Sequence, residues 1–197
     1  MKPEIWSCGR VPGLWLGEWS DPVDLLLAEH HHQRATLARI GRMIERQLGD
    51  VATMQTIMGP LADEATLHRA DEEDSLFPLL SRRKRREDGI DHLLKRLLED
   101  HVQITTVAAS AAVSRGAIED GAAPLPDRIR AELLHLIFLV ESHLALENGL
   151  VLPIAHQRLT SLDRRAIEQD FRLRRGMVIL PATNAGTAPA TVSALTH

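Results

Sequence analysis

The sequence has one cysteine, no tyrosine, three phenylalanines and no long apolar run. A lone Cys8 excludes an intrachain disulfide, and with it the disulfide-stapled secreted folds, so a reducing cytoplasm is the expected location. Without tyrosine, no tyrosyl radical can take part in any chemistry. No stretch reaches the ~18 uninterrupted apolar residues of a membrane span, and Met1-Lys2-Pro3-Glu4-Ile5-Trp6 lacks the apolar segment of a signal peptide. The 23 basic and 27 acidic residues leave a formal charge of −4, with no overall basic field, so neither nucleic acid nor a membrane surface is expected as a partner. A chain of 197 residues, 44% apolar and 25% charged, suits one soluble domain with one sizeable core and a terminal extension. Against these scarcities stands an excess of histidine, ten residues, far more than packing asks for.

Residues 1–20 place Trp6, Trp15 and Trp19 among Gly and Pro without any helical or alternating period, and read as an irregular arm. The indoles there either plug one end of the core or serve a gating or partner-binding role. Asp21-Pro22 then offers an N-cap and a first-turn proline. A helical stripe follows through Leu26, Leu37, Ile40, Ile44 and Leu48, with His30 and Gln33 in two of its slots and an end near Gly49-Asp50. A second stripe carries Leu61, Ala65, Leu76 and Leu79, with His68 and Glu72 between them; Gly59-Pro60 marks a kink or the true start of this helix. The third runs Ile90, Leu94, Leu97, Ile104, Ala108 and Ala111, interrupted by His101. The fourth runs Ile129, Leu133, Leu136, Val140, Leu150 and Ile154, interrupted by His143 and Glu147. A short charged helix from Ser161 to about Arg175 precedes a tail rich in Ala, Thr and Pro that reads as disordered.

No strand signal survives. The expectation is all-α: an arm over 1–20, an antiparallel up-down-up-down four-helix bundle over 21–157, then a short helix and flexible tail over 158–197. No outer apolar stripe demands self-association, and the oligomeric state stays open.

The polar intruders fall at one depth. In an antiparallel hairpin, two residues share a level when the midpoint of their numbers lies on the turn. The midpoint of 30 and 68 is Gly49, that of 72 and 101 falls beside Asp88-Gly89, and that of 101 and 143 falls beside Gly121. Helical residues four apart share a face, so His68-x-x-x-Glu72 and His143-x-x-x-Glu147 each aim an imidazole and a carboxylate inward, and His30 and His101 complete the ring. Burying four imidazoles and two carboxylates without partners is unfavourable, whereas metal ions resolve the conflict. Mixed imidazole and carboxylate donors suit Fe, Mn or Zn. If both carboxylates bridge, the six side chains supply about eight of the roughly twelve donors two octahedral ions need. An oxo or hydroxo bridge then leaves about one open position per ion. The bland alternative is a buried His/Glu hydrogen-bond network.

The segments Leu27-Ala28-Glu29-His30, His68-Arg69-Ala70-Asp71-Glu72-Glu73-Asp74-Ser75-Leu76-Phe77-Pro78, Glu99-Asp100-His101 and His143-x-x-x-Glu147 followed by Val151-Leu152-Pro153 resemble the hemerythrin-like, or HHE cation-binding, family over about residues 21–157. The resemblance implies a non-haem diiron centre held by His30, His68, Glu72, His101, His143 and Glu147, with Glu72 and Glu147 as bridges. Two positions depart from the oxygen carriers: Thr105 stands where they place a second third-helix His, and Asn148 where they place a fourth-helix Asp. These departures argue against simple oxygen carriage. The chain is similar to the six-ligand branch, which includes proteins linked to nitric oxide and iron–sulfur repair, peroxide-consuming members, and iron- or oxygen-sensing domains. The cysteine-bearing N-terminal domain of the repair proteins has no counterpart in these residues.

The resemblance implies an oxidoreductase that binds and reduces a small oxidant (O₂, peroxide or NO), or alternatively a non-enzymatic iron or oxygen sensor, or iron-binding module, acting through a partner. An organic substrate is also conceivable, although no pocket is visible in the sequence; the electron donor is not identified.

Several residues are set beside this core. His31 and His32 follow His30, but the stripe through His31 contains Arg34 and is a poorer core, so periodicity selects His30; His31 is left as an orienting group or entrance acid. Glu73 and Glu64 are candidate acceptors for ligand N–H groups, although Glu73 reads first as a solvated surface residue. His135, about 12 Å along the axis from His143, is expected to be partly buried. Arg82-Arg83-Lys84-Arg85-Arg86 reads as a helix C-terminus complementing its dipole.

Overall fold

The computed structural model describes residues 21–46, 51–115 and 126–176; the Trp-rich arm, Leu48, Gly49, Gly121 and the tail lie outside the described residues. Helix α1 (Pro22–Glu45) starts where Asp21 accepts a hydrogen bond from the Val23 amide, 2.9 Å, with Pro22 in the first turn. Helix α2 (Val51–Asp71) runs through Gly59-Pro60, so that pair is not the helix start. A wider π turn (Glu72–Leu76) joins it directly to α3 (Phe77–Arg83). A 3₁₀ turn (Arg86–Asp88) and Gly89, at φ 60, reverse the chain; only glycine takes that left-handed angle without a steric cost. Helix α4 spans Ile90–Arg115. Helix α5 (Asp127–Leu146), a second π turn (Glu147–Val151) and α6 (Leu152–Arg158) form one rod, and α7 (Ser161–Arg174) follows, capped by a reciprocal Thr160/Asp163 box.

Four rods, α1, α2–α3, α4 and α5–α6, pack as an antiparallel bundle; among the described residues there is no strand. Helix α7 lies across α1 and α2 and buries Ile167 and Phe171 completely. The core is split in two. One cluster gathers around Leu25, Leu26, Leu80, Leu97, Val151 and Phe171, the other around Leu37, Ile40, Met58, Leu133, Leu136 and Leu144. Between them lies a layer of buried polar side chains.

The two π turns alter the expected register. A continuous 3.6-residue stripe places Leu79 and Leu150 in the core. Instead Leu150 is 49% exposed and Leu79 only partly buried, whereas Phe77, Leu80, Val151 and Ala155 are buried. Each π turn inserts one residue and rotates everything after it. The cause is local: Pro78 and Pro153 have no N–H to donate and crowd the preceding carbonyl, so the turn before each proline opens. Phe77 N–H then bonds to Glu72 O, and Leu152 N–H to Glu147 O, five residues back.

The rod from Asp127 to Arg158 is, among the described residues, the one helix long and apolar enough to cross a membrane, with a mean hydropathy of 1.4 in its most apolar window. Its inner face carries buried polar residues and core leucines. Its outer face exposes Leu134 and Phe138, and the neighbouring α4 exposes Leu98 and Val102, apolar positions that the stripes did not lead one to expect at the surface.

Candidate metal centre

Each bundle rod delivers one element of the buried layer. His30 comes from α1, His68 from α2 with Glu72 one turn on, His101 from α4, and His143 from α5 with Glu147 one turn on; all six are 0–6% exposed. They form two overlapping sets, His30, His68, Glu72 and Glu147 in one, and Glu72, His101, His143 and Glu147 in the other, each with its donor atoms within 4.8 Å of one another.

The geometry has a two-fold character. His30 Nε2 lies 3.1 Å from His68 Nε2, and His101 Nε2 lies 3.1 Å from His143 Nε2. Glu72 turns Oε1 to His68, 3.2 Å, and Oε2 to His101, 3.2 Å. Glu147 turns Oε2 to His30, 3.4 Å, and Oε1 to His143, 3.3 Å. Each carboxylate thus spans both imidazole pairs.

Among the described residues none of the four carboxylate oxygens has a hydrogen-bond partner, although all are fully buried. Such groups are rare in folded proteins because an unpaired buried charge is costly. Burial pushes the Glu147 carboxyl up, and the negative charge of Glu72 adds to that. Burial acts on Glu72 in the same sense, but His68, His101 and His30 outweigh it and hold that carboxyl well below the ordinary range. The His68 imidazole, which burial alone would push down, is instead raised well above its usual value by Glu72 and Glu29. A site that crowds two carboxylates among four imidazoles, with inward oxygens unpaired, is matched to divalent cations, and the donor set is the nitrogen and oxygen mixture that Fe, Mn and Zn accept.

An outer layer fixes the imidazoles through their Nδ1 atoms. His68 Nδ1 lies 2.9 Å from Glu29 Oε2, and His101 Nδ1 lies 2.7 Å from Glu73 Oε1. Such contacts orient metal-bound imidazoles and leave Nε2 to the centre. Burial would push the Glu29 carboxyl up, but His68 and the Arg175 guanidinium keep it below the ordinary range. His30 Nδ1 lies 2.6 Å from the Asn148 amide; with its oxygen turned to Arg34, that amide accepts from the guanidinium at 2.6 and 3.1 Å while its nitrogen donates to Nδ1. His143 Nδ1 has no hydrogen-bond partner among the described residues; Asp100, 3.9 Å away, is turned to Arg96 instead.

Helix α7 reaches this layer. Arg175 donates to Glu29 Oε1, 2.7 Å, and lies 2.6 Å from Asp71 Oδ2; Arg174 donates to Asp71 Oδ1 and to Ser75 Oγ, both 2.7 Å. Asp71 immediately precedes the π turn that begins at Glu72 and Ser75 lies within it, so the last helix clamps the turn carrying a central carboxylate.

The structure therefore brings His30, His68, Glu72, His101, His143 and Glu147 together. His31 is exposed on the outer face of α1, away from the ring. Glu73 is no simple surface residue, since it holds His101. Glu64 sits 3.2 Å from His32 and away from the ring's imidazoles. His135 is exposed rather than partly buried, because it falls on the outer face of α5. Within the basic run, Arg83 pairs with Asp163 and Lys84 with Asp91. The contributions of Glu29, Asp71, Arg174 and Arg175 were not anticipated. A usable signal existed for one of them: Glu29-His30 places an acid directly before a ring histidine.

The hemerythrin HHE cation binding domain profile matches residues 21–155, and the chain belongs to that family. No curated protein matches the chain.

Proposed function

We propose that the chain holds a pair of non-haem iron ions, of the six-ligand type, and binds and reduces a small oxidant such as O₂, peroxide or NO in the cytoplasm. The observation that carries this reading is the ring itself: two His₂ pairs spanned by two buried carboxylates whose four oxygens lack any other partner among the described residues. His30 and His68 would hold one ion and His101 and His143 the other, with Glu72 and Glu147 shared. Bound iron would supply Lewis acidity and electrons to a small reactant. The chain's own part is to fix six donors in a water-poor layer between two apolar clusters, to lock His68 and His101 through Glu29 and Glu73, and to leave coordination positions unfilled. Manganese or zinc in the same ring would keep the Lewis acidity.

The test is turnover: iron-loaded protein mixed with excess peroxide or NO consumes many equivalents, with Glu147→Ala inactive. Consumption of about one equivalent without turnover contradicts the enzymatic reading and favours a sensor. That second reading draws on the α7 clamp, since Arg174 and Arg175 tie the outer layer of the ring to the last helix, through which a partner could read the centre.

A further inference from the structure

An elongated cavity of about 310 Å³ begins at the imidazoles of His68, His101 and His143 and extends into the apolar cluster that holds Leu37, Met58 and Leu136. On α2 its lining runs from Met58 to Arg69, and on α4 from His101 to Ala109. At 1.5 Å per residue these spans are about 17 and 12 Å. Leu37, Leu61, Ile104, Leu136 and Val140 supply apolar walls from all four rods. Since a dry cavity of about 150 Å³ takes one benzene, this one has room for roughly twelve carbon-sized atoms, at the lower end of ordinary small-molecule sites.

Among the polar side chains of the lining, the Thr66 and Thr105 hydroxyls are spent on the Ala62 and His101 carbonyls, which leaves the Gln33 amide to meet an occupant. Gln33 is 6% exposed, lines the cavity, and has no hydrogen-bond partner among the described residues. It occupied a slot of the α1 stripe that the metal ring does not use, lying one turn, about 4.5 Å, beyond His30. An amide that faces a cavity is completed by whatever occupies it, water or a polar group of a ligand. The amide is neutral and both donates and accepts, so it matches a hydroxyl or carbonyl group. The one formally charged side chain of the lining apart from the histidines, Arg69, is turned to the Thr105 hydroxyl at 2.9 Å, and Thr105 in turn donates to the His101 carbonyl at 2.8 Å. The chemistry therefore favours an uncharged occupant.

We propose that this cavity binds a neutral, largely apolar organic molecule of about twelve non-hydrogen atoms, which docks one hydroxyl or carbonyl on Gln33 and lies against the imidazoles of His68, His101 and His143. The significance of that position rests on the metal reading, because the occupant would be held beside the centre. The binding itself does not depend on metal.

The test is calorimetric titration of linear primary alcohols, butan-1-ol to dodecan-1-ol, into the full chain with and without bound metal. Saturable binding with one alcohol per chain is expected, tightening about fourfold per added methylene until the cavity is filled and levelling off beyond that length. Ala108→Phe, which fills the cavity, abolishes binding; Ala65→Phe on α2 serves the same purpose where Ala108→Phe does not fold. Gln33→Leu weakens alcohols roughly two- to tenfold and leaves cyclohexane binding unchanged. Absence of saturable binding, affinity that rises without limit along the series, or equal affinity in both filled variants would overturn the proposal. A chain that binds alcohols but no metal keeps the cavity and loses the metal reading; a chain that binds metal but no alcohol does the reverse.

Discussion

His68 turns its Nδ1 onto the Glu29 carboxylate, 2.9 Å away, and presents its Nε2 to the carboxylate of Glu72 at 3.2 Å. Glu29 therefore sets both the ring orientation and the nitrogen available to a metal. Glu29→Gln is expected to lower metal affinity by roughly 10- to 100-fold, the usual effect of removing such an orienting partner, while leaving helix content intact. Competition against a chelator of known affinity, with circular dichroism on the same samples, checks both halves of this statement.

Asn148 occupies in the second half of the chain the place Glu73 holds in the first, next to a central glutamate and against an imidazole Nδ1. Its amide is shared between His30 and Arg34, and the orientation that satisfies Arg34 puts an N–H against Nδ1. Metal on His30 Nε2 needs an acceptor there instead. Asn148→Asp supplies one and still pairs with Arg34, so tighter metal binding is expected, measurable in the same chelator competition. Unchanged or weaker binding would mean that Asn148 does not limit His30.

Asp71 is fully buried and is held by both arginines at the end of α7. Burial pushes its carboxyl up in spite of Arg175 and Arg174. Removing one partner of a buried pair costs about 3–5 kcal/mol, and Arg174 remains in place, so Arg175→Ala is expected near the lower end of that range. Urea unfolding measures it. The variant should also weaken metal binding, because Glu29 loses its second partner; a stability loss with metal affinity untouched would separate α7 from the centre.

The fold and the ring were legible because both rest on helical periodicity. Polar residues that replace leucines at one depth in four stripes leave few alternatives. Leu79 and Leu150 were misplaced because periodicity assumes a uniform 3.6-residue turn, and the π turns before Pro78 and Pro153 break that assumption. Arg174 and Arg175 were illegible for another reason: their partners lie 103 and 146 positions away in sequence, in Asp71 and Glu29, and no local pattern reports such a contact. The cavity arises from small residues and gaps on separate helices, which no single stripe displays.

Acid should weaken the end of the bundle where α7 begins. Hydrogen bonds from Arg83, aided by Thr160, hold the Asp163 carboxyl at about 2, and those from Arg158, aided by the Arg85 amide, hold Asp88 at about 2. An unfolded aspartate titrates near 3.9. These folded values are depressed, so the stabilisation is complete above about pH 4 and is lost as pH falls from there through about 2. The double variant Asp88→Asn, Asp163→Asn is expected to be less stable at neutral pH and to lose less stability on acidification. Parallel thermal melts across this range check it, and identical acid dependence would contradict the assignment.

The most direct measurement is metal content and thermal stability of anaerobically purified protein, beside Glu72→Ala, each with and without a strong chelator. Two ions per chain are predicted, one for each four-residue set, with bound metal lost in Glu72→Ala and the melting temperature of the parent lowered by the chelator. A parent chain that holds no metal under conditions of iron supply, melts identically with chelator, and is stabilised by Glu72→Ala would return the six residues to a buried hydrogen-bond network and contradict the account.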